Sequence, residues 1–157
     1  MPNKIDEVDF TLLRLLRKNS RMSLTEMAKD LGVTVPAIKY RIQKLEQNGI
    51  IKKYSAIIDY EKLGYGIIAF VGINIDPMKR KQIMEKILEL DEIIELYEIT
   101  GEYDVMAKIV TKDIHSLREF LTFKLGGVEG VTRTYTMIIV KEFDIDDRRN
   151  KQWKSMK

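Results

Sequence analysis

Ser23-Leu-Thr-Glu-Met-Ala-Lys-Asp-Leu-Gly-Val-Thr-Val-Pro-Ala-Ile-Lys-Tyr-Arg-Ile-Gln-Lys-Leu-Glu-Gln-Asn-Gly-Ile-Ile51 reads as two short helices around a glycine turn. Ser23 with Glu26 three residues later forms a capping box, which satisfies two amide donors that the first turn leaves orphaned. Leu24, Met27, Ala28 and Leu31 then follow the helical period on one side. Gly32 stands where the chain must leave that helix in a left-handed conformation. Thr34 can cap the next helix, and Pro36 is tolerated in its first turn because no intrahelical donor is lost there. The connection is about three residues, the length that a helix-turn-helix requires.

On the second helix Ile38, Ile42 and Leu45 stack at spacings of four and three, fixing the buried stripe. A step of about 100 degrees per residue then turns Pro36, Lys39, Tyr40, Gln43 and Gln47 outward, with Arg41 and Lys44 on the flanks. That face is rich in donors and has no acid through Lys44. Lysine and arginine engage phosphates or guanine edges, Gln43 can pair with adenine, and Tyr40 can lie against sugar or a thymine methyl. A solvated amphipathic helix is the plainer alternative, but the capped pair with its glycine turn points to docking in a DNA groove. The candidate DNA-binding residues are Ser23, Thr34, Pro36, Ala37, Lys39, Tyr40, Arg41, Gln43, Lys44 and Lys52.

A third helix precedes the pair. Ile5, Val8, Leu12, Leu15 and Leu16 recur at helical spacing, Asp6, Glu7 and Asp9 suit the positive end of the dipole, and Asn19-Ser20 break the run. After Asn48-Gly49 the β-rich run from Ile51 to Ile58 suggests a short wing or connecting strand, with Lys52 and Lys53 near the DNA backbone.

Charge distribution supports this reading. Residues 1–60 carry 11 Lys/Arg against 7 Asp/Glu, a net +4, while the remainder carries 16 against 17, a net −1. The basic excess therefore sits with the helix-turn-helix, where attraction to phosphate needs it. With no Cys, neither a disulfide framework nor a zinc-finger scaffold is available. No run of about 18 apolar residues exists to span a membrane, so a soluble cytoplasmic protein is expected.

The division expected is a DNA-binding domain over 1–60, a linker over 61–66, a second domain over 67–142 and a tail over 143–157. From Ile67 the pattern alternates: strands at Ile67 to Ile75, Ile93 to Thr100, Val105 to Val110 and Val131 to Val140. Between them Asp76-Pro77 opens one helix with Ile83, Ile87 and Leu90 on one side, and Asp113 caps another bearing Leu117, Phe120, Leu121 and Leu125. This βαββαβ order predicts an α+β chain whose second domain is a ferredoxin-like antiparallel sheet with both helices on one face. Ile67-Ile68-Ala69-Phe70-Val71 and Met137-Ile138-Ile139-Val140 are apolar on both faces, so the other face must be buried too. A second copy is the simplest partner. Such a homodimer presents two recognition helices to a pseudo-palindromic operator in double-stranded DNA, with half-sites about 10 bp or a multiple apart. A fuller core within one chain is the alternative.

Over essentially its whole length the chain resembles the Lrp/AsnC (feast/famine) family of transcription regulators. The resemblance rests on Ile5 to Leu16, on Arg41 to Ile51, on Leu63-Gly64-Tyr65, on Thr100-Gly101-Glu102-Tyr103-Asp104, and on Gly130-Val131-Thr132-Arg133-Thr134-Tyr135-Thr136. It implies dimers that assemble to octamers, and a C-terminal RAM/ACT-like domain that holds an effector, an amino acid, between dimers. In the turn itself, Gly101 is free to take positive φ, Glu102 and Asp104 could accept an α-ammonium, and Tyr103 could wall off a side chain. On chemistry alone an ordinary hairpin with solvated acids explains these residues as well. The resemblance favours Gly101 and Asp104 as effector-binding, then Glu102, Tyr103, Thr132 and Thr134. Val35-Pro36-Ala37 departs from the small hydroxyl residues usual in the family at the start of this helix. The tail with Arg148, Arg149, Lys151, Trp153 and Lys154 has no clear family role; a helix extending the assembly and a disordered basic tail are the favoured readings over an extra DNA contact.

Two other classes stay open. Sirohaem decarboxylases are similar in both domains, but His115 is the one histidine here. No metal-spaced histidine pair, phosphate-cradling glycine loop or Ser/His/Asp set is present. No cofactor or metal is therefore expected, and no enzyme. An architectural protein that coats DNA without sequence preference is the other alternative.

Overall fold

The computed structural model describes residues 5–143, so the expectations for the tail from residue 144 onward fall outside the described residues. Two compact units divide between Ile57 and Ile58.

The first unit holds α1 (Glu7–Lys18), α2 (Leu24–Leu31) and α3 (Val35–Gln47). Asp6 opens α1 as more than a dipole partner. Its Oδ1 accepts the Asp9 amide at 3.0 Å while Asp9 Oδ2 accepts the Asp6 amide at 3.1 Å, a capping box made of two aspartates. Ser23 and Glu26 make the box read from the sequence, with the Glu26 amide 3.2 Å from Ser23 Oγ and the Ser23 amide 2.9 Å from Glu26 Oε2. Gly32 takes φ 64° and ends α2, and Thr34 Oγ1 accepts the Ala37 amide at 3.4 Å to start α3. Leu12, Leu16, Met27, Ala28, Ile38 and Leu45 close the core. Full burial of such aliphatic side chains is worth about 1.5–3 kcal/mol each.

The run after α3 differs from expectation. Residues 51–58 form no strand, and Ile57 is 94% exposed. A strand needs a ladder partner as well as β-favouring residues, and among the described residues none pairs with this segment.

The second unit begins with an ordered connection. Residues Glu61–Leu63 form a 3-10 turn in which the Lys62 amide donates to Asp59 Oδ1 at 3.1 Å, and the Tyr60 and Tyr65 rings meet edge to face at 6.1 Å. There follow β1 (Ile67–Ile75), α4 (Arg80–Leu88), β2 (Ile93–Glu98), β3 (Val105–Thr111), α5 (Ile114–Glu119) and β4 (Val131–Ile138). The strands form one antiparallel sheet in the order β2-β3-β1-β4, the ferredoxin-like arrangement. β4 stops at Ile138, short of Val140, because the Ile139 amide reaches Ile68 O beside the first residue of β1 and no further partner strand remains. A 3-10 turn at Pro77–Lys79, capped by Asp76, precedes α4, where one continuous helix was expected. α5 continues directly into a π-helical segment, Phe120–Leu125. Gly127 closes it where a Cβ would lie 2.2 Å from Phe123 O, so no other residue fits without moving the backbone.

Alternation sorts the sheet into two faces. Ala69, Val71, Ile73, Val105, Ala107 and Ile109 pack under Ile83 and Ile87 of α4 and Leu117 and Phe120 of the second helix. The pairing Phe70 to Met137 and Gly72 to Met106 and Tyr135 puts these residues together on the opposite face, which no helix among the described residues covers.

Candidate functional site

The reading face of α3 is positioned by its core stripe. With Ile38 and Leu45 buried and Ile42 half-buried, Pro36, Lys39, Tyr40, Gln43 and Gln47 are all exposed, as the helical period requires. Tyr40 is 63% exposed, and Lys44 Nζ sits 5.9 Å from its ring centroid. This cation over an aromatic face forms a compact hydrogen-bonding and stacking patch. Ser23 and Thr34 are exposed but engaged as caps, and Ala37 is half-buried beneath the first turn. Lys52 is exposed beyond the end of α3.

Arg41 is placed differently from the expectation that it contacts DNA. Its Nη1 lies 2.9 Å from both carboxylate oxygens of Asp6 and 2.7 Å from Asp9 Oδ1. The guanidinium thus clasps the first turn of α1, and its side chain is only 26% exposed. The pairs with Asp9 and Asp6 raise the Arg41 pKa. The amide of Asp9, and then Arg41, hold the Asp6 carboxyl below the usual range. Arg41 uses Nη1 to tie α3 against α1, which leaves Lys39, Lys44 and Gln43 as the outward donors without such a tie.

The turn between β2 and β3 is the second candidate region. Gly101 has φ 137°, in the region that glycine alone enters freely. Asp104 is not a free acceptor for an ammonium group as expected. Its amide donates to Ile73 O at 3.1 Å, its Oδ2 accepts the Ile75 amide at 3.0 Å, and its Oδ1 is 3.6 Å from Arg80 Nη2, a group also paired with Glu98. That carboxylate secures the bulge of β1 at Asn74/Ile75. Glu102 is the freer acid, 67% exposed in its side chain with Arg133 Nη1 at 3.9 Å. Asn74 Nδ2 donates to Glu102 O at 2.8 Å, and Thr132 Oγ1 donates to Asn74 O at 3.1 Å, so Glu102 and Thr132 meet around Asn74.

Thr134 does not join them, whereas Tyr103 stays beside Glu102 while its ring turns onto the sheet. The Tyr103 ring lies flat over Gly72, close enough that a Cβ there would stand 2.7 Å from Tyr103 Cγ, and it stacks on Tyr135 at 5.9 Å. It belongs to the uncovered face of the sheet. Desolvation there, and then the charge of Glu102, push its hydroxyl pKa up. Thr134 pairs with Ile73 and is half-buried on the core side. Asn74, Arg80 and Gly72 are the organising residues that the sequence reading missed. Only Gly72 carried a signal, since a glycine inside a strand marks close approach of another group.

A winged helix-turn-helix DNA-binding family model matches residues 5–52, and the Lrp/AsnC ligand binding domain matches residues 68–148. The chain belongs to the Lrp/AsnC family. Its relatives include the HTH-type transcriptional regulator FL11 of Pyrococcus furiosus, 38% identical over 137 residues covering 87% of this chain and 90% of the relative. LrpA of Pyrococcus horikoshii is 36% identical over 138 residues, 88% of this chain and 98% of the relative. Among solved structures, AsnC of E. coli superposes with TM-score 0.80 at 29% identity, covering 92% of this chain and 99% of that one. A transcriptional regulator of Neisseria meningitidis in complex with L-Met shares the fold with TM-score 0.84 at 22% identity, over 90% of this chain and 93% of that one. The protein is thus an effector-responsive, DNA-binding transcriptional regulator of the Lrp/AsnC type. Among the described residues no helix is long and apolar enough to cross a membrane.

Proposed function

We propose that this chain is a cytoplasmic, non-enzymatic regulator that reads a pseudo-palindromic operator as a homodimer and answers to an amino acid. The observation that carries the DNA reading is the outward face of α3, free of acids through Lys44, with exposed Lys39, Tyr40 and Gln43 and half-buried Lys44 on a helix held by the Arg41 clasp. Lys39 and Lys44 supply phosphate contacts or guanine recognition, Gln43 suits adenine, and Thr34, Pro36 and Ala37 bring the start of the helix to the groove floor. Ser23 and Lys52 flank it within reach of the backbone. Residues 1–60 form the DNA-binding part, 61–66 the connection and 67–142 the effector and dimerisation part.

The uncovered sheet face supports dimerisation. Phe70, Tyr103, Tyr135 and Met137 give it an apolar centre that a second copy buries by two-fold packing. Assembly of dimers to an octamer follows the family pattern. Gly101, Glu102 and Thr132 offer the turn as one wall of an amino-acid site, with Asp104 holding the turn in shape. The same fold holds L-Met in the Neisseria protein.

The test is footprinting of purified protein on genomic DNA fragments with competitor DNA, repeated over a salt series and with each amino acid. Protected sites in pairs about one helical turn apart, shifting with one amino acid, are expected. Uniform coating with no preferred site would instead establish the architectural alternative.

A further inference from the structure

The open face of the sheet is not apolar throughout. Across its strands one row runs Glu95, Lys108, Phe70 and Met137, each the register partner of the next, and neighbouring strands stand about 4.8 Å apart. Ala107 and Ile109, on either side of Lys108, are buried in the core, so alternation turns Lys108 to the open side. A cation thus stands one strand from Phe70 and two from Met137, inside the margin of the apolar centre.

Its partner comes from beyond the end of β4. The Ile139 amide still donates to Ile68 O at 2.8 Å beside β1, and three residues later Glu142 Oε1 accepts from Lys108 Nζ. β1 stands between β4 and β3, so a span of roughly 10 Å is bridged on the open side by these few residues and the two side chains. Glu95 Oε1 lies 4.0 Å from the same Nζ, too far for a hydrogen bond, and its other oxygen accepts the Tyr97 hydroxyl. Glu142 is therefore the carboxylate to which Lys108 is bonded.

The two partners differ in their hold on water. The Lys108 side chain is 18% exposed and that of Glu142 is 53% exposed. A second copy packed over Phe70 and Met137 takes from Lys108 the little water it has left. A buried ammonium group is strongly unfavourable when it stands alone and is tolerated when a hydrogen-bonded counter-charge goes with it. Glu142 stripped of its lysine can instead turn its carboxylate to solvent.

We propose that Glu142 is the residue that allows this face to take a second copy of the chain: by bonding Lys108 within its own subunit, it lets the lysine enter the interface as half of an ion pair. This rests on the reading of the open face as the dimer surface. The segment that follows β4 is thereby part of what decides whether two chains associate.

Sedimentation velocity of the full chain over a dilution series gives the dimer affinity, and exchange between chains carrying donor and acceptor dyes gives the dissociation rate. Glu142→Gln, which keeps the shape and removes the charge, is expected to loosen the dimer by about tenfold or more. Lys108→Met added to it is expected to bring the affinity back to within about threefold of the original, because no stranded charge remains. Lys108→Met alone is expected to dimerise at least as tightly as the unaltered chain. A Glu142→Gln dimer as tight as the original overturns the proposal. So does a double variant no tighter than Glu142→Gln, or a Lys108→Met dimer looser than the original. Circular dichroism establishes that each variant is folded, and Lys108→Met decides by itself if Glu142→Gln is not. Phe70→Glu separates the two readings. If it leaves the dimer intact, the open face is not the dimer surface and both readings fall; if it breaks the dimer while Glu142→Gln does not, only the role of Glu142 falls.

Discussion

Replacing Arg41 with methionine separates a strut from a DNA contact. The change keeps an unbranched stem for packing and removes the guanidinium. Asp6 is half exposed, so its share of the pair is small after screening by water. Asp9 decides the energy: its side chain is 10% exposed and its Oδ1 accepts from Arg41 at 2.7 Å. Losing a charge-assisted hydrogen bond of this kind, and leaving the acid partly buried with only the Asp6 amide, costs about 2–3 kcal/mol. For a unit of this size each kcal/mol moves the midpoint by roughly 4–8 °C, so the thermal midpoint followed by circular dichroism is expected to fall by about 8–24 °C. Asp9→Asn added to Arg41→Met should recover part of that loss, because the uncompensated charge is gone. Operator affinity measured well below the new midpoint should change little in comparison with Lys39→Ala. An unchanged midpoint together with lost DNA binding would refute the clasp and return Arg41 to the reading face.

Lys39→Ala is expected to weaken operator binding by about 1–3 kcal/mol if it reads a base; if it touches phosphate it should lower the salt slope by about one for all sequences. No change in either measurement removes Lys39 from the interface. Gly72→Ala places a Cβ within 2.7 Å of the Tyr103 ring, and should destabilise the second unit by about 1–3 kcal/mol by overpacking and disturb the near-ultraviolet dichroism of the Tyr103–Tyr135 stack. An unaltered spectrum and midpoint would count against that contact. Acid should weaken both units. Asp6, Glu26 and Asp113 all have lowered folded-state pKa values, chiefly through the amides of Asp9, Ser23 and Ser116. Their contribution is complete above the ordinary carboxylate range, about pH 4 to 4.5, and is lost as pH falls through the depressed folded values. Thermal midpoints flat from neutral pH to well below that range would contradict the sign.

Local rules made much of this fold legible. Ser23 with Glu26, Gly32 and Thr34 announce their own hydrogen bonds within three residues, and the strand at Ile67–Ile75 ends where expected because alternation and Asp76-Pro77 agree. What escaped depends on groups far apart in the chain. Arg41 meets Asp6 across 35 positions, and nothing in its helical phase distinguishes a flank that faces phosphate from one that faces α1. The Asp6–Asp9 box was visible as acids but not as mutual caps. Residues 51–58 have the composition of a strand without a neighbour to pair with. Asp104 looked available because its consumers, the Ile75 amide and Arg80, belong to other elements. The π-helical segment leaves no signature, since Phe120, Leu121 and Leu125 satisfy an ordinary helical period equally well.

The aromatic lid over Gly72 has a consequence for communication within the protein. Tyr103 is one residue from Glu102 in the turn and yet rests its ring on the bare sheet beside Tyr135. A body settling on that bare surface must either accept the ring as part of its footing or push it aside. Pushing it aside drags the backbone at Glu102, whose carbonyl is tethered to Asn74. A single phenol thus ties what rests on one side of the sheet to the backbone at its end.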